Sequence, residues 1–116
     1  WQIKELVLRG GLIGVTCCGY FMSDGKHCKI SDFIRQIDYF VQKFGADNLA
    51  VGTDYYGCDF TVGNILGYED LYGKTAFELE KLGYLKADID KILSNNLRIF
   101  TEKKRNLRLP VDKIRK

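Results

Sequence analysis

The chain has 116 residues, of which 46% are hydrophobic and 28% charged, which is typical of one globular domain that buries a real core. Its longest apolar-leaning run, residues 12–22, is interrupted by glycines and is shorter than the ~18 residues of a membrane span, so no span is predicted. The net charge of +3 comes from the basic tail of residues 101–116, which carries no interleaved aromatic residues for stacking on bases, so no nucleic-acid binding is expected.

The first predicted elements are a helix and a buried strand. The helix is the stretch "WQIKELVLRGG", closed by Gly10 or Gly11 in a left-handed conformation. The run "LIGVTCC" at 12–18 is continuously apolar or small, which is typical of a strand buried on both faces in a parallel sheet. Because the chain starts inside the helix, we expect it to be a piece of a longer protein.

A second helix and a second strand follow a loop. Ser31 is the predicted N-cap of the helix, and Gly45 ends it. Its apolar residues recur at helical spacing: Ile34, Ile37, Val41 and Phe44. The stretch "LAVGTD" at 49–54 then predicts a short strand, and the glycine-containing stretch 55–68 predicts a long loop.

Two helices complete the chain. The first, at 69–83, is weakened by Gly73, and the second, at 86–105, is the strongest. The apolar face of the second helix consists of Ile89, Ile92, Leu93, Leu97 and Phe100. Asn96 lies in the middle of this face, so we expect its amide to be buried and bonded to neighbouring backbone.

The predicted order of helix, strand, helix, strand, helix, helix contains a strand–helix–strand crossover with parallel strands. Two strands buried on both faces do not make a finished sheet. The fold class is therefore α/β, in strand–helix units of the size found in an eightfold (β/α)8 barrel, incomplete on its own. We expect the isolated chain to associate with another copy of itself or with the remainder of the barrel.

Asp54 is the candidate functional residue, since it ends the second strand. In parallel α/β folds the chemistry takes place at the carboxyl ends of the strands. A carboxylate at that position either faces the mouth of the barrel or caps the following loop through its own backbone. Position alone does not decide between these two interpretations.

The four cysteines and the single histidine do not form a familiar metal site. Cys17 and Cys18 are adjacent in a predicted strand and point to opposite faces, and the spacing of His27 to the cysteines, including Cys28 and Cys58, matches no common zinc pattern. We expect reduced thiols in a cytoplasmic protein. A small zinc-binding module that uses the cysteines and His27 is the weaker alternative.

Four stretches occur in an order that resembles the carboxyl-terminal portion of the membrane (renal) dipeptidase family. They are "RGGLIGVTCCGYFMSDGK", "IDYFVQKFGADNLAVGTDYYG", "GYEDL" and "LEKLGYLKADIDKILSNNLRIF". The resemblance covers residues 2–100 and implies a zinc peptidase of the amidohydrolase type on a (β/α)8 barrel. It also implies that the chain is a carboxyl-terminal fragment of one barrel domain, with a barrel segment at 1–100 and a basic tail at 101–116.

The resemblance assigns a role to Asp54. It matches the family's aspartate at the end of the eighth strand, beside the water that bridges a two-zinc site. A hydroxide activated by the two metals attacks the peptide carbonyl, and the nearby carboxylate handles the proton or holds the free ammonium of a dipeptide. Asp54 is therefore the predicted catalytic residue, and Asp54 and Tyr55 are the predicted substrate-binding residues.

The chain departs from the family pattern at several positions. Tyr56 replaces a frequent second acid, Thr16 replaces a common asparagine, and the family's helix asparagine aligns with Asn95. His27 matches none of the zinc ligands, which the resemblance places upstream of this chain. The fragment alone is therefore expected to bind no zinc and to be inactive. The competing interpretation is a non-catalytic α/β interaction module derived from such a barrel.

Overall fold

The computed structural model describes residues 2–16, 29–52 and 68–106, except the side chains of 68 and 104–106. The elements in chain order are α1 (Gln2–Leu8), β1 (Ile13–Thr16), α2 (Ile30–Phe44), β2 (Leu49–Gly52), α3 (Tyr68–Lys81), α4 (Lys86–Asp90), a π-helical turn (Lys91–Asn95) and α5 (Asn96–Asn106). This order matches the predicted order of helices and strands.

β1 and β2 are parallel neighbours and are connected through α2. Ile13 lies opposite Leu49, and Thr16 lies opposite Gly52. The predicted crossover between parallel strands is therefore confirmed, and the α/β class with it. The predicted continuations of these strands to residues 18 and 54 lie outside the described residues.

The core lies between the sheet and the helices. Side chains alternate along a strand, and the residues of one sheet face pack in or against the core: Ile13, Val15, Leu49 and Val51. The other main contributors are fully buried and come from α2 and α3, namely Phe33 and Ile37 with Leu71 and Leu79. The opposite face of the sheet carries only small residues: Gly14, Thr16, Ala50 and Gly52.

The ends of α1 and α2 show which local signals determine helix boundaries. Gly10 follows α1 with a φ of 75°, and Gly45 follows α2 with a φ of 83°, so both predicted glycine stops are confirmed. The predicted cap at Ser31 is wrong, because α2 begins at Ile30 with Lys29 as its N-cap. The Asp32 carboxylate accepts the Lys29 backbone N–H at 2.9 Å, which places its negative charge in the first turn, where the helix dipole favours it.

The last helical segment buries most of the predicted apolar face, with Leu97 as the exception. Ile89 and Ile92 are in the core, and Asn96 is only 8% exposed, as predicted. Leu97 is 50% exposed, so its place in the apolar face is wrong. The buried position belongs instead to Asn96, which directly precedes Leu97 and directly follows the π-helical turn.

Candidate functional site

The carboxyl ends of the two strands lie side by side. Thr16 and Gly52 are register partners at the last positions of β1 and β2, and the chain leaves β2 two residues before Asp54. Asp54 and Tyr55 themselves lie outside the described residues. The structure thus places the strand that leads to the predicted site but neither of the two site side chains.

On the sheet face opposite the core, glycines occupy neighbouring positions on the two strands. A β-carbon added at Gly14 would meet the backbone of Gly52 at 3.7 Å, and one added at Gly52 would meet Gly14 at 3.8 Å. These are ordinary van der Waals contacts, so the two glycines face each other with no side chain between them. Neither β1 nor β2 places a bulky side chain on this face.

The other candidate residues of the sequence also fall outside the described part of the chain. These are His27, Tyr56 and the four cysteines. Within residues 2–16, 29–52 and 68–106, no group of three or more His, Cys, Asp or Glu residues is arranged to hold a metal ion. The described residues therefore do not fit a zinc site by themselves, and no zinc ligand is assigned among them. None of the described helices is long and apolar enough to span a membrane.

Two asparagines bond to backbone at the amino ends of the strands: Asn96 links α5 to the start of β2, and Asn48 links the start of β2 to the start of β1. The Asn96 amide Nδ2 donates to the Ala46 carbonyl at 2.6 Å and to the Leu49 carbonyl at 2.9 Å. The Asn48 Nδ2 donates to the Gly11 carbonyl at 2.8 Å. The predicted backbone role of Asn96 is confirmed, whereas Asn48 was not predicted; its only signal is an asparagine directly before a strand. In parallel barrels this end of the strands serves stability rather than chemistry.

Two further polar pairs join segments that are distant in the sequence. The Tyr84 hydroxyl donates to the Asp38 carboxylate at 2.6 Å and so joins α2 to the segment between α3 and α4. Burial, followed by the hydrogen bond and the charge of Asp38, raises the pKa of Tyr84 well above its ordinary value. The Lys91 ammonium donates to Asp47 at 2.9 Å, and this hydrogen bond raises the pKa of Lys91. The second pair is exposed and contributes little to stability.

The Tyr84 pair predicts how stability depends on pH. Because the folded protein raises the pKa of Tyr84, the folded state keeps the phenol proton at a pH where the unfolded state has lost it. Tyr84 therefore stabilises fully below about pH 10 and progressively less as the pH rises further. Tyr84→Phe is expected to cost about 1 kcal/mol at pH 7 and to reduce the loss of stability above pH 10. Urea unfolding at pH 7 and pH 10.5 measures both effects.

The matched control for this experiment is Tyr39→Phe. Tyr39 is 61% exposed on α2, so removal of its hydroxyl is expected to leave the stability at pH 7 unchanged. Equal losses of stability in Tyr84→Phe and Tyr39→Phe would contradict the role of the Tyr84–Asp38 hydrogen bond.

Comparisons with known proteins identify the family. A family model described as membrane dipeptidase (peptidase family M19) matches residues 1–110. A curated relative from Klebsiella pneumoniae, described as an uncharacterized protein in the pqqA 5′ region, is 28% identical over 101 residues, which are 82% of this chain and 36% of that protein. The chain thus spans about a third of the length of the relative that it matches. Since the family match covers nearly the whole chain, the chain belongs to the membrane dipeptidase family, peptidase family M19.

Proposed function

We propose that the chain is the carboxyl-terminal part of a (β/α)8-barrel dipeptidase and that Asp54 acts at the mouth of this barrel. The observation that carries the proposal is the position of Gly52. It ends a strand in a parallel pair, beside the end of the neighbouring strand, two residues before Asp54. Membership in a dipeptidase family supplies the reaction class, and the carboxyl ends of parallel strands are where such folds carry out chemistry.

The proposed chemistry of Asp54 is that of a strand-end carboxylate. It accepts a proton from the attacking water and delivers it to the leaving amine, or its charge holds the free ammonium of the dipeptide. Tyr55 follows it directly and is the proposed second contact to substrate. The zinc ions implied by the family resemblance would activate the attacking water.

The zinc ligands belong, in this proposal, to the part of the parent protein outside this chain. The described residues offer no cluster that would hold the metal, and the chain spans about a third of its curated relative. The proposed partners are a dipeptide and the remainder of the barrel. Hydrolysis is therefore a property of the parent protein, and the 116-residue chain alone is expected to be inactive.

The proposal is tested by hydrolysis assays on the purified parent protein. We expect it to cleave dipeptides with a free amino terminus, to lose this activity in a chelator and to regain it with added zinc. The same dipeptides with an acetylated amino terminus provide the control, since acetylation removes the charge that Asp54 is proposed to hold. Absence of hydrolysis by zinc-loaded parent protein across a dipeptide panel would overturn the proposal and favour the non-catalytic interaction module.

A further inference from the structure

Thr16 differs from the other residues of the two described strands, because it alone among them carries a polar side chain. β1 and β2 have four residues each, and the remaining ones are aliphatic or glycine. Thr16 occupies the last position of β1 and is half-buried. A hydroxyl at the carboxyl end of an otherwise apolar strand contributes little to a hydrophobic core, so its position points to a polar partner.

The side chain of Thr16 belongs to the sheet face that is turned away from the helices. Side chains alternate along a strand, and Val15 packs against the core, so Thr16 is directed to the opposite face. In the barrel proposed above, the helices surround the strands, and this opposite face is the barrel interior. Thr16 therefore combines the two properties of a substrate-binding position in such a barrel: the inner face and the carboxyl end of a strand.

The positions around Thr16 on this face have no side chains that would keep a ligand away. Gly52 is its register partner at the end of β2, and Gly14 lies two residues before it on the same face. Both glycines are exposed. A glycine within a strand often marks a place where a ligand comes close to the backbone. Because β2 leads to Asp54, a ligand bound at the end of β2 meets Thr16 as the neighbouring polar group of β1.

We propose that Thr16 is a substrate-binding residue whose hydroxyl oxygen accepts a hydrogen bond from the free ammonium of the dipeptide. An ammonium group has three N–H donors, so a carboxylate on one side leaves donors for a second acceptor. A hydroxyl oxygen has two acceptor lone pairs and one proton, so Thr16 can accept from the substrate while it bonds elsewhere in the protein. The inference rests on the proposed function, in which Asp54 follows the adjacent strand.

Thr16→Val tests the proposal, because valine keeps the shape of the side chain and removes the hydroxyl. In the zinc-loaded parent protein we expect the KM for a free-amino dipeptide to rise about tenfold, since the lost bond is made to a charged group, with kcat nearly unchanged. Thr16→Ser keeps the hydroxyl and is expected to restore the KM. Thr101→Val is the matched control: Thr101 is exposed on α5 and donates to the Leu97 carbonyl at 2.8 Å, so this variant is expected to keep the wild-type KM.

The outcomes separate this inference from the proposed function. If the wild-type parent hydrolyses dipeptides and Thr16→Val has the wild-type KM, the inference is overturned and the proposed function stands. If the wild-type parent hydrolyses no dipeptide, both are overturned. If Thr16→Val lowers kcat and the melting temperature together at unchanged KM, Thr16 has a structural role only, which also overturns the inference.

A second variant probes the space beside Thr16. A β-carbon added at Gly52 would meet Gly14 at 3.8 Å, an ordinary van der Waals contact, so we expect Gly52→Ala to keep the melting temperature. The added methyl group would crowd the bound ammonium and is expected to raise the KM at least about fivefold. Gly73→Ala is the control, since a β-carbon at Gly73 on α3 meets nothing within 4 Å, and it is expected to keep the wild-type KM. A wild-type KM in Gly52→Ala would place the substrate away from Thr16 and overturn the proposal.

Discussion

Replacing Asp54 with asparagine in the parent protein is expected to lower the rate of dipeptide hydrolysis by about 10²–10⁴-fold. Asparagine keeps the size of the side chain and much of its hydrogen bonding but removes the charge and the proton acceptor. Bound zinc is expected to change little, because the proposed ligands lie outside this chain. The melting temperature is also expected to change little, because a carboxylate at the open end of a strand is not a core residue.

Asp47→Asn is the matched control for this variant. Asp47 lies just before β2, at the opposite end of the strand that leads to Asp54, and its carboxylate is exposed and paired with Lys91. Its replacement is expected to leave hydrolysis unchanged. If Asp54→Asn retained full activity and instead lost about 1 kcal/mol of stability, Asp54 would be a loop cap rather than a catalytic residue.

Replacing Asn96 with alanine is expected to lower the free energy of unfolding by about 2–4 kcal/mol. The Asn96 amide donates to two backbone carbonyls, of Ala46 and Leu49, and its side chain is nearly fully buried. The Leu49 carbonyl loses its partner in a buried environment, which costs about 1–3 kcal/mol, and loss of the part-buried bond to Ala46 adds about 1 kcal/mol. Chemical denaturation of the parent protein measures the difference. If unfolding is not two-state, the melting temperatures of the variants are compared instead.

Asn95→Ala provides the control, since Asn95 is the neighbouring residue of the same type and is the one that aligns with the family's helix asparagine. It is only partly buried, so its replacement is expected to cost less than about 1 kcal/mol. At temperatures where both variants are folded, both are expected to keep the wild-type kcat/KM. If Asn95→Ala were the more destabilising variant, the assignment of the buried amide to Asn96 would be wrong.

The local pattern of the chain was sufficient to predict the elements and their ends at several positions. Gly45 ends α2 because a residue without a side chain adopts positive φ at little cost. The continuous apolar run at 12–18 predicted a strand in a parallel sheet, and the structure pairs Ile13–Thr16 of this run in parallel with β2. Asn96 was correctly placed on the buried face from helical periodicity alone. The strand that leads to Asp54 was predicted from the short stretch at 49–54.

Other features were decided by contacts between distant segments or by competition between neighbouring residues. Ser31 has a side chain suited to capping a helix, but α2 begins one residue before it, with Lys29 as the extended N-cap and Asp32 accepting the Lys29 backbone N–H. The Tyr84–Asp38 and Asn48–Gly11 bonds join residues 46 and 37 positions apart, and no local pattern encodes which distant group a side chain meets. An apolar groove lined by Ile3, Ile13 and Phe40 likewise exists only once α1 and α2 pack around β1. Periodicity and backbone preference are local properties and can be read from the chain, whereas partners and cavities depend on how the elements pack.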